Sequence, residues 1–145
     1  MGLFKKAYAN VSSGIDSILI THDVKRAASE ANVTLGIVQV FVPHANSALA
    51  LIENEASVIE AYKKWIEVQV PVIDEKRPER KSGSGRNHAH LQAQLLKQSI
   101  SIPFADSKLQ LGPWQEVFLF DFDDKAGRRE YFILVSGESP AKQQN

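Results

Sequence analysis

Four histidines and no cysteine set the limits on where this chain could hold a metal or run acid–base chemistry. Two of them, His88 and His90, lie one residue apart in GSGRNHAHL (83–91), behind a glycine-rich turn. Residues two apart share a face of a strand but point about 200° apart on a helix. An extended His-x-His can ligate one ion; a helical one leaves each imidazole to act alone. Two solvent-facing histidines at a helix start have the same spacing. His44 falls in VFVPHANSALALIENE (40–55), just past a strand-like run. Asn46 and Ser47 follow it, and Glu53, Asn54 and Glu55 come after the apolar run Ala48 to Ile52. That run is expected to bring His44 and Glu53 to the same end of the core. A His and carboxylate set suits a divalent ion or proton transfer near neutral pH. Without thiols, any metal must be held by imidazole, carboxylate, carbonyl or water, as Zn or Mg can be.

Other residues could serve a ligand. In KSGSGR (81–86), consecutive Gly and Ser leave backbone N–H groups for an anion, and Lys81 and Arg86 add charge. A helix start follows, which also favours anions. The pattern GxxxxGK[ST] is absent, so this is not a Walker loop. Trp114, with Gln115 beside it in LGPWQ (111–115), is either a stacking platform for an aromatic ring or a core residue at a strand start. Asp121, Asp123 and Asp124 read as acids at a hairpin turn.

The elements behind these residues read as one α+β domain. Strands are expected at 3–11, at 35–42 (LGIVQVFV), at SISIPF stopped by Pro103, and at WQEVFLFDF (114–122). The last should turn through DDKAGRR into a paired return strand, EYFILVS. The run 15–20 is ambiguous. Helices are expected after an N-cap at Thr21, across 55–69, and from near Asn87 with Leu91, Leu95 and Leu96 on its face. Together these predict a mixed or antiparallel sheet packed with two or three helices. DEKRPERKSGSGR (74–86) reads as a charged loop and 138–145 as a frayed tail. With 17 basic and 17 acidic residues, no chain-wide field draws nucleic acid or an anionic membrane. No basic helix or aromatic RNA-binding sheet motif is present either. No apolar run reaches membrane-spanning length, and the start carries no signal-peptide pattern, which points to the cytoplasm.

Three ordered segments carry a resemblance: VFVPH with its apolar stretch and Glu53-Asn54-Glu55; HAHLQAQLL; and SISIPF leading to LQLGPWQEVFLFDFD. Together they resemble the YjbQ family, UPF0047, over most of the chain to about Gly137. The resemblance implies an α+β fold and a homotrimer with sites near subunit boundaries. It also implies a weak thiamin phosphate synthase activity, in which a hydroxymethylpyrimidine pyrophosphate and a thiazole phosphate join and pyrophosphate leaves. His44 matches the family's Pro-His histidine, His90 the Ala-His-Leu histidine, Glu53 and Asn54 its Glu-Asn pair, and Trp114-Gln115 its Trp-Gln. On that basis His44, His90 and Glu53 are the expected catalytic groups, with His44 and His90 the metal ligands. Asn46, Ser47, Asn54, Arg86, His88, Trp114 and Gln115 would line the site of a small phosphorylated metabolite. The chain departs from the pattern at Ala45-Asn46 (usually Thr-Thr), Pro113 (Thr), Arg86 (Asn), and in having no histidine in RPERKSGSG. Those departures favour the alternative of a non-catalytic binding module.

Overall fold

The computed structural model describes residues 2–72 and 87–140. The loop predicted at 74–86, with Lys81 and Arg86, lies outside them, as does most of the predicted tail. Among the described residues, eight strands and three helices follow one another. They are β1 (Gly2–Val11), β2 (Asp16–Leu19), α1 (Thr21–Glu30), β3 (Leu35–Phe41), β4 (Ser47–Ile52), α2 (Ala56–Gln69), α3 (Asn87–Gln94), β5 (Ser99–Ala105), β6 (Lys108–Leu109), β7 (Glu116–Asp121) and β8 (Gly127–Glu138). No described helix is long and apolar enough to cross a membrane.

Every strand pairing is antiparallel. One sheet has the order β1-β8-β3-β5-β6; the other is β2-β7-β4. The smaller sheet is a middle layer, and the period-two alternation of side chains shows why. Leu49, Val117 and Leu119 point to a core shared with α1 and the inner face of the larger sheet. Their neighbours Ala48, Ala50, Phe118, Phe120 and Phe122 point the other way, against α2 and α3. A strand covered on both faces needs an unbroken apolar run, which VFLF in β7 supplies.

Several local expectations change in three dimensions. Thr21 does not cap α1: Ile20 occupies that position, and the Thr21 hydroxyl instead accepts the Val117 N–H at 2.7 Å, tying the helix start to β7. α3 lays Ala89 and Ala93 on the sheet, while Leu91 and Leu95 face outward. Alanines let the helix lie close over Ala48 and Ala50; leucines there would hold it off. β5 runs through Pro103 rather than stopping at it. The Pro103 carbonyl accepts from the Gln110 N–H, on the side away from β3, so the missing proline N–H removes no bond to β3. The largest change is at β7 and β8. They do not pair: β7 lies in the middle sheet and β8 between β1 and β3. Residues 122–126 are a corner between layers, not a hairpin.

Two glycines set how closely β3 meets β8. Gly36 pairs with Gly137, and a Cβ on Gly36 would stand 2.0 Å from the Ser136 carbonyl oxygen. That obstacle is backbone and cannot swing aside. Gly36→Ala is therefore expected to cost about 1–3 kcal/mol of stability by overpacking, measured as a lower urea midpoint.

Candidate functional site

The corner between β7 and β8 is the most polar buried place in the molecule. Asp121 is fully buried. It accepts the Ser47 hydroxyl at 2.5 Å and the Arg129 Nε at 2.8 Å, while the Asp123 N–H donates to its second oxygen. Asp123 accepts the Asn46 amide at 2.6 Å and the Lys125 N–H at 3.1 Å. Arg129 Nη2 closes the circuit on the Lys125 carbonyl at 2.6 Å. Burial pushes the Asp123 carboxyl up. Hydrogen bonds with the Lys125 N–H, the Asp124 side chain and the Asn46 amide, with the Arg129 charge, outweigh it and hold the group below its ordinary value. These acids are not the exposed hairpin charges expected; only Asp124 faces solvent. The Asn46 and Ser47 side chains, expected at a ligand, are donors to this lock.

The remaining expected site residues divide between the two ends of β4. Its five steps from Ser47 to Ile52 span about 17 Å. His44 lies before the Ser47 end, and its carbonyl accepts the Ser47 N–H. It lines a shallow 350 Å³ depression with Phe41, Val42, Pro43, Ala45 and Gln98. Glu53 and Asn54 lie past Ile52, where they line a 280 Å³ cleft with Pro113, Trp114 and Glu116. The apolar run is an extended strand, so within one copy it separates His44 from Glu53 rather than joining them. Trp114 is 71% exposed, which removes the core alternative and leaves a ring open to a ligand or partner. Gln115 folds onto its own turn: its Oε1 accepts the Gly112 N–H at 2.8 Å. Glu55 caps α2 by accepting the Val58 N–H, and the Ser57 hydroxyl and these N–H groups hold its carboxylate low.

Both residues of the His-x-His pair are helical, in the first turn of α3. Two apart on a helix, they point to different sides of it. His88 is buried and engaged by a neighbour. His90 is different. Its Nε2 is buried and has no hydrogen-bond partner among the described residues, and the same is true of His44 Nε2. A buried polar atom left unpaired costs about 1–3 kcal/mol, and such atoms are rare enough to call for a reason. Among the described residues, no three His, Asp or Glu side chains converge as a metal cage.

Residues 6–138 match the family described as UPF0047 protein YjbQ-like. A UPF0047 protein of Archaeoglobus fulgidus is 32% identical over 79% of this chain and 87% of its own length. One from Synechocystis is 31% identical over 79% of each chain. Among solved structures, a YjbQ/UPF0047 protein from Clostridium acetobutylicum superposes with a TM-score of 0.81 at 28% identity, covering 91% of this chain and 99% of that one. A YbjQ-like protein of unknown function from Sulfolobus solfataricus gives 0.83 at 24% identity, covering 95% and 99%.

Two predictions test the polar corner. Arg129→Met leaves a fully buried carboxylate without its counter-ion and is expected to cost about 3–5 kcal/mol in chemical denaturation. For pH, Asp123 has a folded value below its unfolded one. Its contribution is therefore complete above the unfolded value of about 4 and is lost as pH falls through the folded value. Asn46→Ala removes one of the bonds holding that value down. The variant should show a smaller loss of stability below pH about 4 than wild type, in urea titrations across the acid range.

Proposed function

The chain belongs to the UPF0047 YjbQ-like family, and from that premise we propose that it binds a small phosphorylated metabolite at a site completed between subunits of a homotrimer. The observation that carries this reading is the pair of buried, unpartnered nitrogens, His44 Nε2 and His90 Nε2. Imidazolium N–H groups donate charge-assisted hydrogen bonds to phosphate oxygens, and neutral imidazole accepts a proton. Either role would relieve the unpaired atoms. Glu53, Asn54 and exposed Trp114 suit the organic part of the ligand, the indole stacking on an aromatic ring. They stand at the far end of β4 from His44, so one copy does not assemble the whole set. A boundary where one copy's His44 meets another's Trp114 end would bring those residues together.

The outer face of the five-stranded sheet supports self-association. Such a face is ordinarily polar when it meets water. Here the register sets Phe4 beside Leu134 and Phe41 beside Phe132, with Ile37 on the neighbouring row. Phe4 is 55% exposed and Ile37 47%. With Tyr8 and Leu35, the face offers on the order of 500 Å² of large apolar side chain, near the upper range for a monomer's largest patch.

For chemistry, the family resemblance supports a transfer of the thiamin phosphate synthase type. His44 or His90 would hold a proton at Nε2 against the departing pyrophosphate, whose growing negative charge such donors stabilise. Zn or Mg would supply further charge neutralisation when bound. Two imidazole nitrogens fit part of such a donor set; a neighbouring copy or water would have to complete it. The binding-module alternative is favoured by Asn46 and Ser47, whose side chains already serve Asp123 and Asp121.

Three linked measurements test this. Light scattering should give a trimer for wild type and a monomer for folded Phe41→Glu; a wild-type monomer overturns the assembly. Elemental analysis should find a divalent ion that His44→Ala loses, if metal is part of the site. The pyrimidine pyrophosphate and thiazole phosphate should each raise the wild-type melting point, by up to about 2.7 kcal/mol of stabilisation at a hundredfold excess over Kd. His44→Ala and His90→Ala should lose that response. No response in wild type sinks the reading; response without thiamin phosphate formation selects the binding module.

A further inference from the structure

A third cavity, which neither His44 nor His90 lines, lies between α1 and the β5–β6 hairpin. It measures about 290 Å³, close to the lower limit for small-molecule sites. Its apolar part is Ala28, Phe104 and Leu109; its polar part is Lys25, Ser29, Ser107 and Lys108. Among the described residues, neither lysine makes an ion pair and Ser107 makes no side-chain hydrogen bond. The Ser29 hydroxyl donates to the Arg26 carbonyl at 2.8 Å, which leaves its oxygen as an acceptor only. Asp106, beside Ser107 in the chain, is exposed and does not line the cavity.

The hairpin beneath it is built at a cost. Phe104 pairs with Leu109 and Ala105 with Lys108, so the loop has two residues, Asp106 and Ser107. Both are left-handed, with φ of 52° and 60°. That is the geometry of a type I′ turn, whose second position favours glycine. A serine there is strained, and the Gln110 side chain holds the turn through bonds to the Ala105 and Lys108 carbonyls at 3.0 and 3.2 Å. Backbone strain of this kind persists where the surroundings enforce it, and it concentrates at binding sites. A glycine would fold this turn more easily but would put no hydroxyl on the cavity wall.

We propose that this cavity binds a small organic anion: a phosphate or carboxylate head held by Lys25, Lys108 and the Ser107 hydroxyl, with a short apolar body on Phe104 and Leu109. The site is separate from the histidine end and does not depend on the function proposed for it.

Calorimetric titration of the full chain with butyl phosphate, butyrate and inorganic phosphate tests this. Wild type should bind butyl phosphate or butyrate with Kd near or below about 1 mM, and inorganic phosphate more weakly because it lacks the apolar body. Which butyl compound binds more tightly identifies the head group. The Lys25→Ala, Lys108→Ala double variant removes only exposed side chains and should weaken binding at least about tenfold. Ser107→Gly should raise the ligand-free melting point by about 2–4 °C while weakening binding, a split that a purely structural serine would not show. In His44→Ala the binding that depends on Lys25 and Lys108 should persist. The proposal is overturned if wild type does not bind, if the double lysine variant binds unchanged, or if His44→Ala alone abolishes binding.

Discussion

A carboxylate with no access to water stands at the corner where the chain leaves the middle sheet. Burying a charge costs several kcal/mol unless its partners are placed well. Asp121 meets that condition through three donors from three parts of the chain: Ser47 at the head of β4, Arg129 on β8 and the Asp123 N–H at the corner itself. The Arg129 bond ties the middle sheet to the larger one, the Ser47 bond joins two strands of the middle sheet, and the Asp123 bond shapes the corner between them. The same corner holds the loop before β4, because the Phe122 N–H donates to the Asn46 carbonyl at 3.0 Å and the Asn46 amide reaches Asp123. It reaches β2 as well, through the Gly14 N–H on the Asp123 carbonyl at 2.9 Å. Removing one donor would leave the rest of the circuit buried and unpaired, so its members hold together or fail together.

This corner is also why the two layers can differ so much in character. β7 runs between two apolar faces and carries aromatic side chains toward the helices, where Tyr62 meets Phe120 edge-on at 5.4 Å. Burial of Tyr62 in that group raises its phenol above the ordinary value. Once past the corner, the chain needs only one buried face, and β8 alternates accordingly: Tyr131, Ile133 and Val135 inward, Leu134 and Ser136 outward. The Tyr131 hydroxyl is kept protonated by burial and by its bond to Asp23 on α1, fastening the helix to the larger sheet at 2.9 Å.

Much of this order was legible in the chain before any coordinates. Alternation and apolar, β-branched runs mark β3, β5, β7 and β8, a mixed and aromatic run marks β1, and helical spacing of Val24, Ala27, Ala28 and Ala31 marks α1. The separation of β7 from β8 is not legible in the chain because DDKAGRR has the residues of a tight turn, and local composition does not distinguish a hairpin from a change of layer. What distinguishes them is whether the aspartates point outward. That was decided by Ser47, 74 residues away from Asp121 in sequence. For α3 the leucines drew attention by size, yet small residues were the ones that fitted against β4. In the candidate site, the histidine motifs were visible at once, whereas the extension of β4, which holds His44 and Glu53 apart, depended on its pairing with β7 across all six positions.

The corner and the histidines then take opposite parts. The side chains of Asp121, Asp123, Asn46 and Ser47 are all engaged, with one another, with Arg129 or with nearby N–H groups. His44 and His90 are not: each keeps a buried nitrogen unpaired on a scaffold otherwise economical with such atoms. Local rules broken within a structure that elsewhere obeys them mark the places where something besides folding sets the residue. By that criterion the polar corner belongs to stability. The unpaired nitrogens lie elsewhere, His44 on the loop that the corner anchors and His90 on the helix laid over β4.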